Sequence, residues 1–253
     1  MHLPNKQAIV ALSKEIILLF GAYGIYLVVR NIIVPTAQTT AFLNAERLID
    51  FEKSLNMFWE PGWQEWALRS ANWSVDFSDW FYVFGYMPII LTTATMAYIF
   101  DRERYHRYRT IMLVSLFLAL IVFTTFPLAP PRFADTGSGM IDTLAVNGSI
   151  IAKPGSESFY NLYAAMPSLH FGWALLISIF FLFSKPRILK LCGLAYPIVM
   201  LFAIVLTANH FILDAVGGAG IMLLAYLCYR AIFVDRARIL KRLPWTRAHK
   251  AAA

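Results

Sequence analysis

Apolar residues gather into long runs along this chain, at about 12–34, 80–100, 110–127, 167–184, 190–208 and 211–233, with charged residues and prolines in the gaps between them. About 20 apolar residues span a bilayer as a helix, and in hydrocarbon only helices and closed barrels satisfy every backbone polar group. The pattern predicts six transmembrane helices, the fifth and sixth separated only by the turn around Asn209 and His210. The first run lacks a small-residue cleavage site and is expected to be a retained span rather than a signal peptide. A different period appears in the first long loop. Leu48, Phe51, Leu55, Phe58 and Trp59 recur at helical spacing, while Glu46, Asp50, Glu52, Lys53 and Asn56 fill much of the other face. With Trp63, Trp66 and Trp73 following, this stretch suits an interfacial amphipathic helix with aromatic anchors, or equally a helix that packs over the bundle. The expected fold is all-α: one integral membrane domain over 1–253, a six-helix bundle with an additional interfacial helix in the first outer loop.

Composition agrees. The chain is 59% apolar and 15% charged, against roughly 45–50% and about 25% in soluble domains, which excludes an aqueous globule; an aromatic fraction of 15% excludes disorder. The net charge of +7 would suggest nucleic acid in a soluble protein, but its location argues otherwise. Lys6 and Lys14, then Arg102, Arg104, Arg107 and Arg109, then Lys185, Arg187 and Lys190, and finally the tail 236–250 fall on one side of the predicted bundle. The loops 35–79 and 128–166 on the other side carry few basic residues. Short cytoplasmic loops collect Lys and Arg, so a multi-pass protein of the cell membrane with both termini cytoplasmic is expected, without a nucleic-acid partner. Cys192 and Cys228 lie within apolar runs, where a thiol acts as a small hydrophobe.

A titratable side chain inside a membrane helix costs about 2.5–3.5 kcal/mol on insertion scales, so each one needs a reason. In the second half of the chain His170, His210 and Asp214 all fall near the outer ends of predicted helices. His210 and Asp214 are four residues apart, on one helix face. The carboxylate can accept from one imidazole nitrogen and leave the other as base or nucleophile, although such a pair alone also suits a structural role. Gly217, Gly218 and Gly220 follow and permit close helix approach. In Ala165-Met166-Pro167-Ser168-Leu169-His170, Pro167 suits the first helical position, so that backbone N–H groups around Ser168 and Leu169 form an anion site. Ser168 adds a hydroxyl and His170 a proton donor. In Phe126-Pro127-Leu128-Ala129-Pro130-Pro131-Arg132-Phe133, prolines stiffen the exit from the third helix. They present Arg132, a planar cation suited to phosphate oxygens or to lipid headgroups.

Taken in order, Arg132, Pro-Ser-Leu-His and His-x-x-x-Asp resemble the motifs of the type 2 phosphatidic acid phosphatase superfamily, over about 126–220. The resemblance implies a six-helix membrane enzyme that cleaves or transfers phosphate esters through a phosphohistidine, without a cofactor. It implies His210 as nucleophile, Asp214 as its orienting carboxylate, His170 as general acid, and Arg132 and Ser168 with nearby N–H groups, including that of Leu169, as holders of the phosphoryl oxygens. Three departures stand out. Thr125 replaces the lysine seven residues before the arginine, Ile204 replaces the arginine six before the histidine, and Leu169 replaces the usual glycine. They point toward the branch resembling inositol phosphorylceramide synthase, with phospholipid or another lipid phosphate as substrate and transfer favoured over hydrolysis. Lys153 is a candidate for part of the missing charge, or a solvated loop lysine. A lipid phosphatase on the same site is the alternative. From the residues alone, a zinc hydrolase with His170, His210 and Asp214 as ligands and a haem protein with His170 and His210 as axial ligands also stay open.

Overall fold

The computed structural model describes residues 6–133, 136–149 and 161–235, among which no strand occurs. The helices are α1 (Lys6–Ser54), α2 (Glu60–Ser70), α3 (Asn72–Phe84), α4 (Met87–Phe100), α5 (Arg102–Thr125), α6 (Thr143–Val146), α7 (Leu169–Leu182), α8 (Arg187–Leu206) and α9 (Ile212–Tyr229), the last continued by a π-helical segment, Arg230–Asp235. Among the described residues, four helical stretches are long and apolar enough to cross a membrane: Ile9–Ile33 within α1, Arg102–Thr125, Arg187–Leu206 and Ile212–Val234. α3 and α4 qualify together as a pair bent by 45°. The remaining apolar run forms α7, only 14 residues long, or about 21 Å. Among the described residues the protein is thus all-helical and built for a bilayer, with the six apolar runs appearing as four long helices, one bent pair and one short helix.

The first outer segment differs from expectation. α1 contains 49 residues, about 74 Å of helix against about 30 Å of hydrocarbon. Its second half contains the periodic stretch expected to be a separate helix. Pro35 lies inside α1 without ending it. The reason is packing beyond the proline: Ala37, Ala41, Ala45, Leu48 and Ile49 continue one helical stripe, and all five are buried against Ala119, Leu120 and Phe123 of α5, Leu128, Tyr163 and Phe211. Phe51, Leu55 and Trp59, expected on the apolar face, are exposed, whereas Glu52 from the expected polar face is 1% exposed.

The proline-rich exit from α5 is clamped on both sides. Leu128 N donates to Tyr163 O (2.9 Å), Ala165 N donates to Leu128 O (3.2 Å), and Ala129 N donates to Ala41 O of α1 (3.1 Å). Arg132 N donates to Ala208 O (2.8 Å), which draws the α8–α9 turn to the same place. The Oη of Tyr196 donates to Gly85 O (2.8 Å) at the α3–α4 bend.

α7 lies among α4, α5, α8 and α9. Its approach to α9 depends on glycine: a Cβ on Gly218 would sit 2.2 Å from Ser168 O, and one on Gly172 would sit 3.0 Å from Gly218 O. Of the other two glycines expected to serve this purpose, a Cβ on Gly217 makes ordinary contact with Met166 at 3.4 Å, and Gly220 faces open space. Gly218→Ala should therefore push α9 from the segment that carries Ser168 and His170, lowering stability by about 1–3 kcal/mol as overpacking does and reducing turnover. Gly220→Ala should leave both unchanged. Thermal unfolding of the detergent-solubilised variants checks this, and equal melting temperatures for the two would contradict it.

Candidate active site

The exit from α5, the segment leading into α7 and the turn between α8 and α9 converge on one site. After α8 the chain turns through Ala208, at φ 52°, and the amides of Asn209 and His210 both donate to Ile204 O at 3.1 Å. This tight turn sets His210 immediately before α9, where its ring is buried. Its Nδ1 lies 2.8 Å from Ala165 O and 3.3 Å from Asp214 Oδ2. A carbonyl only accepts, so Nδ1 carries the proton and Nε2 is left with a free lone pair. Burial pushes the His210 imidazole down to about 3, with the charge of Arg132 acting in the same direction and the Ala165 carbonyl opposing both. The ring is therefore neutral near pH 7, as a nucleophile requires.

Nε2 of His210 faces Nδ1 of His170 at 3.3 Å. Two rings hold His170: Tyr82 stacks on it with centroids 4.6 Å apart, and Tyr86, at the α3–α4 bend, lies 4.2 Å away. Arg132 completes the set. Its Nη1 donates to Asn209 Oδ1, its Nε lies 3.5 Å from Asp142 Oδ2, and its guanidinium lies over the Phe133 ring. His170, His210, Arg132, Asn209 and Asp142 all line one cavity of about 750 Å³ that continues between the helices.

Four sequence-derived candidates, His210, Asp214, His170 and Arg132, are thus together. Ser168 is close in the chain but differently employed: its Oγ accepts from Phe171 N (3.3 Å) as the cap of α7, it is fully buried, and it does not line the cavity. Pro167 consequently precedes the cap rather than opening the helix, and Leu169 is the first helical residue and a cavity wall. Lys153 lies outside the described residues. Of the other two departures from the motif, Thr125 is exposed and bonds back to Ile121 O (2.9 Å), while Ile204 is wholly buried in apolar core. Neither faces the histidines.

The geometry disfavours the two non-phosphoryl readings. Asp214 sits behind His210, on Nδ1, while His170 faces Nε2, so the three cannot converge on one ion. Among the described residues no group of three His, Cys, Asp or Glu side chains could hold a metal. The facing histidine nitrogens, 3.3 Å apart, leave no room for a macrocycle between them.

Sequence reasoning missed the carboxylates under this site. Glu52 and Glu60 are 1% and 0% exposed. Glu60 Oε1 accepts from Ile212 N (2.8 Å) and Glu52 Oε1 from Leu213 N (3.3 Å), beside the bond from Phe211 N to Asp214 Oδ2 (2.9 Å). The otherwise orphaned first amides of α9 are thus met by three carboxyl groups, two of them more than 150 residues away in the chain. The Oε2 atoms of Glu52 and Glu60 are buried with no hydrogen-bond partner among the described residues, and each carboxyl perturbs the titration of the other. Burial first, then the charge of Glu60, raises Glu52 to about 8. No local pattern marks this role: Glu52 falls in a polar stripe, and Glu60 merely precedes Pro61 at a helix start.

Comparison with known proteins agrees with the geometry. The model of the PAP2 superfamily, the type 2 phosphatidic acid phosphatases, matches residues 46–228. The chain is 30% identical over 144 residues to the inositol phosphorylceramide synthase catalytic subunit aur1 of Schizosaccharomyces pombe, a match covering 52% of this chain and 32% of that protein. The chain thus spans about a third of the length of this curated relative. No solved structure matches.

The carboxyl pair has a pH signature. With the folded pKa of Glu52 raised from 4.5 to about 8, the folded state holds a proton that the unfolded chain releases. Its contribution to stability is full below pH 4.5 and is lost as pH rises through 8. Glu52→Gln, which keeps the hydrogen bond to Leu213 N without titrating, should flatten the fall in melting temperature across that window. Parallel profiles for wild type and variant would refute the raised titration of Glu52.

Proposed function

Because the chain belongs to the PAP2 superfamily, we propose that it is a membrane phosphotransferase acting on lipid-linked phosphate esters through a phosphohistidine. The observation that carries this reading is the neutral His210, fixed through Nδ1 by Ala165 O and Asp214 with Nε2 turned toward His170. In the first step Nε2 of His210 attacks phosphorus, the bond to the leaving oxygen breaks, and His170 gives that oxygen its proton. In the second, His170 takes the proton of an acceptor hydroxyl, whose oxygen attacks phosphorus, and the P–N bond returns its electron pair to His210. Arg132, aimed by Asn209 and Asp142, neutralises the phosphoryl oxygens.

The donor is a phosphodiester lipid. Arg132 is the described cation beside the histidines and already shares its charge with Asp142, which suits the single charge of a diester better than the two of a monoester. The aur1 relative is named as the catalytic subunit of an inositol phosphorylceramide synthase, which supports a synthetic transfer reading. Transfer is favoured over hydrolysis because Tyr82, Tyr86 and Leu169 give the site apolar walls, and a transferase must hold its acceptor and restrict water.

α7 and the bent α3–α4 pair complete six crossings of the cell membrane, so both termini share a side. The basic cluster Arg102–Arg109 lies at the opposite end of α5 from the site. By the preference of cytoplasmic loops for Lys and Arg, the termini are cytoplasmic and the site extracytoplasmic.

His210→Ala should abolish turnover of a labelled phospholipid, and Asp214→Asn should leave a trace, lowered by about ten-thousandfold as when an orienting aspartate is lost. An active His210→Ala enzyme refutes the phosphohistidine. With wild type, label should pass to an added alcohol acceptor in preference to water. If the hydrolysed product, a phosphomonoester from a diester donor or free phosphate from a monoester donor, dominates with every acceptor, the protein is a lipid phosphate hydrolase on the same site. For sidedness, in a background without Cys192 and Cys228, a cysteine at the exposed Val146 (73% exposed) should react with an impermeant maleimide on intact cells. One at Glu103, whose side chain is 87% exposed, should react only after permeabilisation. The reverse result inverts the topology.

A further inference from the structure

The cavity is far larger than a phosphoryl group needs. It starts at His210, His170 and Arg132 and is lined along α5 from Phe123 down to Tyr105, about 27 Å of helix. That depth exceeds the roughly 15 Å of one leaflet, half of the hydrocarbon thickness. Its volume of about 750 Å³ lies within the range of about 300–1,000 Å³ of ligand-binding cavities. Between its ends the walls are apolar, among them Ile90, Ala94, Ala97, Met112 and Leu116.

The far end is different. Arg109 and Tyr105 line it, and both are tied to Glu15 of α1: Arg109 Nη1 contacts Oε1 and Oε2 at 2.6 Å, and the Tyr105 hydroxyl donates to Oε2 at 3.0 Å. A hydrocarbon end driven into this ion pair would strip polar groups of solvent and partners without replacing them. There is also a side entrance. Leu19 and Tyr23 of α1 and Met87 and Leu91 of α4 line the cavity yet are exposed at the surface, so a chain can slide in from the bilayer without crossing water.

We propose that this chamber holds a hydrocarbon chain of the lipid substrate inside the bundle, and that the Glu15–Arg109–Tyr105 cluster is a floor that limits its length. The proposal rests on the phosphotransferase reading for the identity of the headgroup end. The chain enters between α1 and α4, its phosphate meets Arg132 and the histidines, and its methyl end points toward Tyr105. Donors whose chains reach past the floor are rejected, while shorter ones are accepted.

The test compares donors of one headgroup with short, medium and long acyl chains on wild type, Ala94→Trp and Ala97→Trp. Each indole fills part of the chamber, Ala94 nearer the histidines and Ala97 deeper. Long-chain kcat/KM should fall about tenfold or more, as overpacking of the chamber blocks long chains, with short-chain turnover kept. The tolerated length should be shorter for Ala94→Trp than for Ala97→Trp. An unchanged length profile in variants that retain short-chain turnover overturns the chamber. A second measurement needs no variant: a long-chain donor with a terminal diazirine, photolysed on wild-type protein, should label chamber residues of α4 and α5 at the depth of Ala97 and Tyr105. Labelling confined to lipid-facing residues such as Ile99, Phe100 and Phe117 overturns the proposal. Wild type that turns over no donor but labels inside the chamber refutes the phosphotransferase reading and leaves the chamber standing.

Discussion

Everything at this site depends on how the first turn of α9 is held. A helix start leaves amides without partners, and inside a membrane protein water is a poor substitute. Here Phe211, Ile212 and Leu213 give their N–H groups to Asp214, Glu60 and Glu52. The first of these carboxylates also orients His210; the other two belong to the end of α1 and the start of α2. Burying three acids so close together costs solvation and repulsion. The proton that Glu52 keeps, its pKa raised by burial, removes one charge, and the partial positive charge at the helix start offsets part of the remainder. The histidine that needs a fixed tautomer thus stands just before a helix start that is tied to α1 and α2.

The same logic extends outward through polar bridges. Gln64 of α2 donates to Ile141 O and Leu206 O, both at 2.9 Å, and accepts from Ile141 N. Asn44 Nδ2 of α1 donates to Pro127 O at 2.8 Å. Asp79 of α3 accepts from Thr143 Oγ1 and Asn147 Nδ2, both at 2.6 Å. These contacts bind α1, α2 and α3 to the loops that carry Arg132 and Asp142. The outer segment is therefore a buttress of the site. This explains why α1 does not stop where its apolar span ends: its second half has a core of its own to cover.

Close helix packing supplies the other constraint. α7 is too short to be anchored by length, and its position relative to α9 is set by Gly172 and Gly218, where the backbones touch. That contact fixes the spacing between the helix that carries His170 and the turn that carries His210. Tyr82 and Tyr86 then fix the His170 ring from the side of the α3–α4 bend. The 3.3 Å between the two imidazoles is thus the outcome of backbone packing below and aromatic stacking beside.

Much of this was legible in the chain itself, because hydrocarbon is an exacting solvent. Long apolar runs have no alternative to helix, so the membrane architecture followed from hydropathy alone, and titratable residues were few enough that His170, His210, Asp214 and Arg132 stood out. The four-residue spacing of His210 and Asp214 and the glycine at 218 are local, and local geometry is encoded locally. What escaped was whatever depends on long-range neighbours. Glu52 and Glu60 look like surface acids until α9 is placed over them. The motif pattern points to Ser168 as a phosphate ligand but does not show that its Oγ also caps α7. The chamber below the histidines belongs to no segment, since it is the space that α1, α4, α5 and α7 leave between them. Periodicity tells which residues share a face; only the folded chain decides what that face meets, because burial and desolvation are properties of the assembled neighbours and not of the residue.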